Sequence, residues 1–231
     1  MNPDHTLATA IAGGATSTAQ RNRVLRNTYW LLALSMVPTV LGAWIGLATG
    51  IAQVLTPGLG LIVFLVGSFG LMFLIEKNKN SAAGVPILLG FTFFMGVMLS
   101  RMLAVVLGMG NGASLVMMAF AGTGAIFLGM AALSSVVKRD LSNMAKFMFI
   151  GVILLLVAGI ANIFIQSSAL MITLAVLAIG IFSFFILYDL KRVQDGEETN
   201  YITATLGVYL SIYNVFQSLL ALFGIAGSSN D

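Results

Sequence analysis

The sequence predicts an all-α membrane protein, a bundle of seven transmembrane helices. Three observations predict it. Of 231 residues, 59 % are hydrophobic and only 8 % charged, where a soluble domain carries about 25 % charged residues. The mean hydropathy of +1.02 over the whole chain leaves no polar surface to face water. The 11 Lys and Arg and 8 Asp and Glu residues are clustered, so the gaps between clusters are continuous apolar runs. Such runs, of about 20 residues each, suit helices in a bilayer. Barrel strands would instead alternate apolar and polar residues.

The spans follow in order. Arg21, Arg23 and Arg26 close a polar N-terminal tail of residues 1–27, and no further charge occurs before Glu76. That stretch is too long for one helix, and Thr56-Pro57-Gly58 marks the turn within it. Span 1 is read over 28–49 and span 2 over 58–75. Glu76, Lys77 and Lys79 make a charged loop, and span 3 covers 83–106. Gly108, Gly110, Asn111 and Gly112 make the next turn. Span 4 covers 113–136 and stops at Lys138-Arg139-Asp140. Span 5 covers 147–165, with Gln166-Ser167-Ser168 as a tight turn. Span 6 covers 169–188, ahead of the most charged segment, Asp189 to Glu198. Span 7 covers 202–224. The helical domain is thus 28–225, with a short polar end at 226–231. The first apolar run is longer than a signal-peptide core, so span 1 is expected to be an uncleaved anchor. No repeat of 20–50 residues is found.

Lys and Arg also give the orientation. The tail holds three, and the loops after spans 2, 4 and 6 hold Lys77, Lys79, Lys138, Arg139, Lys146, Lys191 and Arg192. The positive-inside rule makes that side cytoplasmic. The N-terminus is then cytoplasmic and the C-terminus periplasmic. The remaining basic residue, Arg101, lies about 27 Å into span 3, where it can snorkel to the outer interface.

Composition excludes several functions. With no cysteine there is no disulfide scaffold, Cys-ligated zinc site or thiol nucleophile. The one histidine, His5, lies in the tail. No serine-hydrolase elbow, zinc-protease motif or phosphate-binding loop occurs. An intramembrane aspartyl protease needs two carboxylates in one site, and only Asp189 is placed to serve. The reading is a protein that is not an enzyme, has no cofactor or metal site and binds no nucleic acid.

Gly42, Gly46 and Gly50 are spaced by four on span 1, which lets helices approach closely in lipid, within the bundle or between copies. On span 7, Gly207, Ser211, Asn214 and Ser218 share one face. Tyr209, Tyr213, Phe216, Leu220 and Phe223 form a second stripe. The polar stripe should turn inward, because unpaired polar groups are costly in lipid. Span 7 is therefore expected to be central, its stripe either hydrogen-bonded between helices or lining a wet path. Asp189 is the acid nearest the membrane. Partial desolvation makes it a candidate switch near physiological pH, and pairing with Lys191 or Arg192 is the simpler alternative. Asn162 and Gln166, near the outer end of span 5, read as packing or interfacial residues.

The order of these parts resembles one family. It is carried by Glu198-Thr199-Asn200-Tyr201-Ile202, Ala204-Thr205, Tyr209, Ser211-Ile212-Tyr213-Asn214 and Ser218-Leu219-Leu220. Arg26-Asn27-Thr28-Tyr29, Gly70-Leu71-Met72-Phe73-Leu74 and Ala161-Asn162-Ile163-Phe164 support it. The chain resembles the transmembrane Bax inhibitor motif, or Bax inhibitor-1, family, and within it a bacterial branch that modulates the FtsH protease. The resemblance implies a multi-pass inner-membrane protein that binds and restrains FtsH, a membrane-anchored ATP-dependent protease. The cytoplasmic tail, small and polar and expected to be flexible, would be what that protease engages. The wider family implies an alternative, a pH-sensitive calcium or cation leak channel latched by two aspartates that share a proton. Asp189 matches the first. The second falls at Ser211, which has no charge, and a partner arginine on span 2 has no counterpart over 58–75. A lone Asp189, bonded to Ser211 or Asn214, is the gate that would remain.

Overall fold

The computed structural model describes residues 3–228, with side chains from Thr18 onward except at 52, 53, 57 and 228. Its elements are α1 (Pro3–Thr49), α2 (Ile51–Val54), α3 (Pro57–Asn78), α4 (Gly84–Leu107), α5 (Gly112–Val136), α6 (Ser142–Ile165), α7 (Ser168–Asp195) and α8 (Tyr201–Ser228). All elements among the described residues are helical. Seven are long and apolar enough to cross a membrane. Spans 1 to 7 correspond to α1 and α3 to α8.

Local chemistry sets the ends. Gly50 takes the left-handed conformation, φ 65°, and its N–H donates to the carbonyl of Gly46 at 3.0 Å, which closes α1. Thr56 caps α3, its Oγ1 accepting from Leu59 N at 3.4 Å, with Pro57 in the first turn where a missing N–H does no harm. Ser167 caps α7 by accepting from Leu170 N at 3.2 Å. Asn162 Oδ1 accepts from Ser167 N at 3.0 Å and so shapes the α6–α7 turn, while Gln166 takes φ 55°.

Two helices are longer than the apolar runs within them. α1 begins at Pro3, not near residue 28. The tail is polar but rich in alanine, the best helix former. α7 runs on to Asp195, so Asp189 is inside the helix and not at its end. Lys191 Nζ donates to Asp195 Oδ2 at 2.6 Å across one turn, support that hydropathy does not register. Gly196, φ 83°, ends the helix, and the N–H groups of Glu197 and Glu198 both donate to Arg192 O, at 2.9 and 3.1 Å. This is the left-handed glycine stop that helices commonly use. His5 and residues 229–231 lie outside the described side chains.

α1 lies along α4, and α7 along α8. α8 packs against α1, α3, α4, α5 and α7, whereas the substantial neighbour of α6 is α7. The core joins Leu88, Phe91 and Met95 of α4, Ile186 and Leu190 of α7, and Val208, Tyr209, Val215 and Leu220 of α8. Outside it lie exposed large side chains such as Phe69 and Phe73 on α3 and Phe149, Ile153 and Leu154 on α6. An apolar exterior of this extent is what a bilayer covers.

α1 and α4 meet through glycine. A Cβ on Gly42 would strike the carbonyl oxygen of Phe93, and one on Gly96 the carbonyl oxygen of Thr39. Each helix therefore seats a carbonyl of the other in a hollow that only glycine leaves open. Gly46 rests on Ser100 in the same contact.

The two ends of the bundle differ. At one, Asn200 Nδ2 donates to Lys79 O at 3.0 Å and Asn80 Oδ1 at 2.9 Å, Gln194 Nε2 to Ser134 Oγ at 2.8 Å, and Arg21 Nη1 to Gln194 O at 3.4 Å. This is the charged end. At the opposite end, Arg101 Nη1 donates to Leu55 O at 3.0 Å, so the basic residue of α4 ties down the link between α2 and α3.

Candidate functional site at the α7–α8 seam

Asp189 projects from α7 toward α8. Its neighbours Ile186, Leu190 and Val193 are fully buried and hold this stretch of α7 in the core. A Cβ on Gly207 would lie 2.8 Å from Asp189 Oδ2 and 3.1 Å from its Cγ. The bare glycine thus makes the space that the carboxylate occupies. Asp189 faces α8, and its side chain has no hydrogen bond or ion pair among the described residues.

One turn toward the charged end, Arg192 gathers the other charges. Its guanidinium stands 5.7 Å from the centroid of the Tyr188 ring. It lies 3.8 Å from Glu197 Oε2 and 3.9 Å from Glu198 Oε2. Glu198 Oε1 accepts from Asn200 N at 2.8 Å. Asn200 in turn starts α8, its Oδ1 accepting from Ile202 N at 2.9 Å and Thr203 N at 3.2 Å. The neighbouring hydroxyl Thr203 Oγ1 is buried without a hydrogen-bond partner. The seam thus runs from a satisfied charged cluster to an unpaired carboxyl on a glycine.

The polar stripe of α8 does not act as one unit. Gly207 holds Asp189. Ser211 is buried, Ser218 is half-buried, and Asn214 Nδ2 donates to Leu210 O of its own helix at 2.8 Å. No hydrogen bond joins Asp189 to Ser211 or Asn214 among the described residues. The aromatic stripe makes the interhelical bonds instead. Tyr209 OH lies 2.9 Å from Thr39 Oγ1 and 3.4 Å from Thr92 O, and Tyr213 OH donates to Met95 O at 3.1 Å. These hydroxyls stitch α8 to α1 and α4. Sequence reasoning noted the stripe but not this role, because the acceptors are mostly backbone carbonyls on distant helices.

Of the three glycines on α1, Gly42 and Gly46 face α4, and Gly50 is a helix stop. Among the described residues no group of three His, Cys, Asp or Glu side chains could hold a metal ion.

The family model described as inhibitor of apoptosis-promoting Bax1 (Bax1-I) matches residues 21–228. The chain is 36 % identical over 211 residues to the Escherichia coli K12 protein named modulator of FtsH protease YccA, a match that covers 91 % of this chain and 94 % of that one. It is 38 % identical over 214 residues to an uncharacterized membrane protein of Vibrio cholerae, covering 92 % and 94 % of the two chains. It is 39 % identical over 207 residues to an uncharacterized protein of Pseudomonas aeruginosa, covering 90 % and 91 %. The relative from E. coli O6:H1 is named inner membrane protein YccA. With seven membrane-length helices and a match over nearly the whole fold, the chain is a multi-pass inner-membrane protein that belongs to the Bax1-I family.

Proposed function

We propose that this protein binds the membrane-anchored, ATP-dependent protease FtsH and restrains its turnover of membrane proteins. The observation that carries the reading is the 36 % identity, over 91 % of this chain, with the relative named as a modulator of that protease. A match along all seven spans supports a shared role more than a shared segment would. In this reading the charged end is cytoplasmic, by the positive-inside rule, and the C-terminus is periplasmic. The N-terminal segment through residue 27 offers the protease its first contact, and α8 is the central helix on which the others are ordered. The protein acts by association and not as an enzyme.

Co-purification from membranes, with half-lives of FtsH substrates measured with and without this chain, tests it. Association together with longer half-lives is expected. Absence of both would refute the reading.

A second reading is a cation leak gated by Asp189. The position of Asp189 on Gly207, inside the helix contact, favours it. Its weakness is chemical: one turn further along α8 stands Ser211, so a carboxylate pair that shares a proton does not form. Liposomes loaded with a calcium dye decide it. Flux in the wild type that falls in Asp189→Asn supports the leak, and flux equal to empty liposomes at every pH removes it.

A further inference from the structure

The charged end carries a groove that begins on the N-terminal segment and runs onto the membrane-spanning part of α1. It is about 430 Å³, lined by Asn22, Leu25, Arg26, Tyr29 and Trp30, all on one face of α1. Tyr29 meets Phe127 of α5 edge to face, centroids 6.3 Å apart, but α1 does not pack along α5. The groove is an open hollow along this face of α1.

We propose that this groove binds the headgroup of an anionic phospholipid. Arg26 is exposed and pairs with no acid among the described residues, whose ion pairs are held by Lys79, Lys191 and Arg192. Asn22, one turn further out, adds an exposed amide that can donate to a phosphate or glycerol oxygen. Guanidinium is the side chain best matched to phosphate geometry. One turn inward, about 6 Å, Trp30 is 73 % exposed. An indole at that depth belongs to the interfacial aromatic belt. The order along the groove is therefore amide, cation and aromatic wall, polar and charged where a headgroup sits and aromatic toward the acyl chains. A basic side chain at the cytoplasmic end of a transmembrane helix attracts anionic lipid phosphates by this chemistry. The unpaired Arg26 selects an anionic lipid, and the exposed Trp30 sets the depth at which it is held.

The chain has two tryptophans, Trp30 and Trp44, so Trp44→Phe leaves Trp30 as the reporter. The full chain is reconstituted in vesicles containing brominated phosphatidylglycerol or brominated phosphatidylcholine, and Trp30 quenching is followed. Half-maximal quenching is expected at about fivefold lower mole fraction of the anionic lipid. Arg26→Gln should remove most of that preference, whereas Arg23→Gln, exposed but outside the groove, should keep it. Equal quenching by both lipids in the unaltered groove overturns the proposal, and that comparison stands even if Arg26→Gln does not fold. An equal loss from Arg23→Gln also overturns it, since a diffuse positive surface would then suffice. Weak quenching by both lipids overturns it too, because protein, a second copy included, would then cover the groove.

Discussion

Gly96→Ala probes the contact on which α1 and α4 depend. The added methyl would stand 2.9 Å from the carbonyl carbon of Thr39 and 3.0 Å from the nitrogen of Ala43, and nearer still to the Thr39 oxygen. Ordinary contact begins at 3.4 Å, so the carbon alone demands a separation of at least about 0.5 Å, and the oxygen more. Both obstacles are backbone, and no rotamer relieves them. The helices must part where Tyr209 OH reaches Thr39 Oγ1 at 2.9 Å. Overpacking of this kind costs about 1–3 kcal/mol. A weakened buried hydrogen bond costs about 1 more, and the higher helix propensity of alanine offsets about 1. The net loss is about 2 kcal/mol, or about 4–8 °C in Tm for a chain of this size. Gly90→Ala is the control on the same helix, because Gly90 is exposed and a Cβ there meets nothing within 4 Å. Thermal unfolding in detergent, read by size-exclusion, compares the two. A Gly96→Ala midpoint equal to that of wild type and Gly90→Ala would refute the reasoning.

Three further predictions concern the charged end and the seam. Gly207→Ala should cost about 1 kcal/mol, less than Gly96→Ala, because the atom it meets is the end of the Asp189 side chain. The loss should vanish in an Asp189→Ala background, and a double-mutant cycle of Tm values that finds it undiminished places the strain elsewhere. Asn200→Ala removes the cap of α8 and its tie to Lys79 and Asn80, at a cost of about 1–2 kcal/mol. Hydrogen exchange should speed at residues 202 and 203, and unchanged protection there contradicts the cap. Asp140 Oδ1 accepts the N–H of Ser142, which holds its carboxyl below the ordinary value of 3.8. Its support for the start of α6 is present above pH 3.8 and fades as pH falls through the lower folded value. An NMR titration midpoint at or above 3.8 is the contrary result.

The bundle was legible because lipid leaves charge few places to sit. The gaps between Arg26 and Glu76, or Lys146 and Asp189, could only be apolar spans. What escaped has a physical reason in each case. The last turns of α7 are amphipathic, held by Lys191 and Asp195, and an apolar run ends before them. The α1 glycines announced a close contact, but Gly96, which completes it, lies about fifty residues away and no spacing rule connects the two. Gly50 continued the same spacing yet takes a positive φ that only the backbone reveals. At the seam, Asp189 and Gly207 were each visible as a type of residue. That one fills the space left by the other follows from the rotation of α7 against α8, which sequence does not state.

α6 leans on α7 and otherwise faces lipid. A helix wedged among several neighbours has its tilt set by them, whereas one held along a single line can roll about that line. Membranes differ in hydrocarbon thickness, and spans answer a mismatch by tilting at a modest energetic cost. In this fold α6, and next to it α3, which leans mainly on α4, are the helices freest to make that adjustment, whereas the closely packed α1–α4 and α7–α8 pairs resist it.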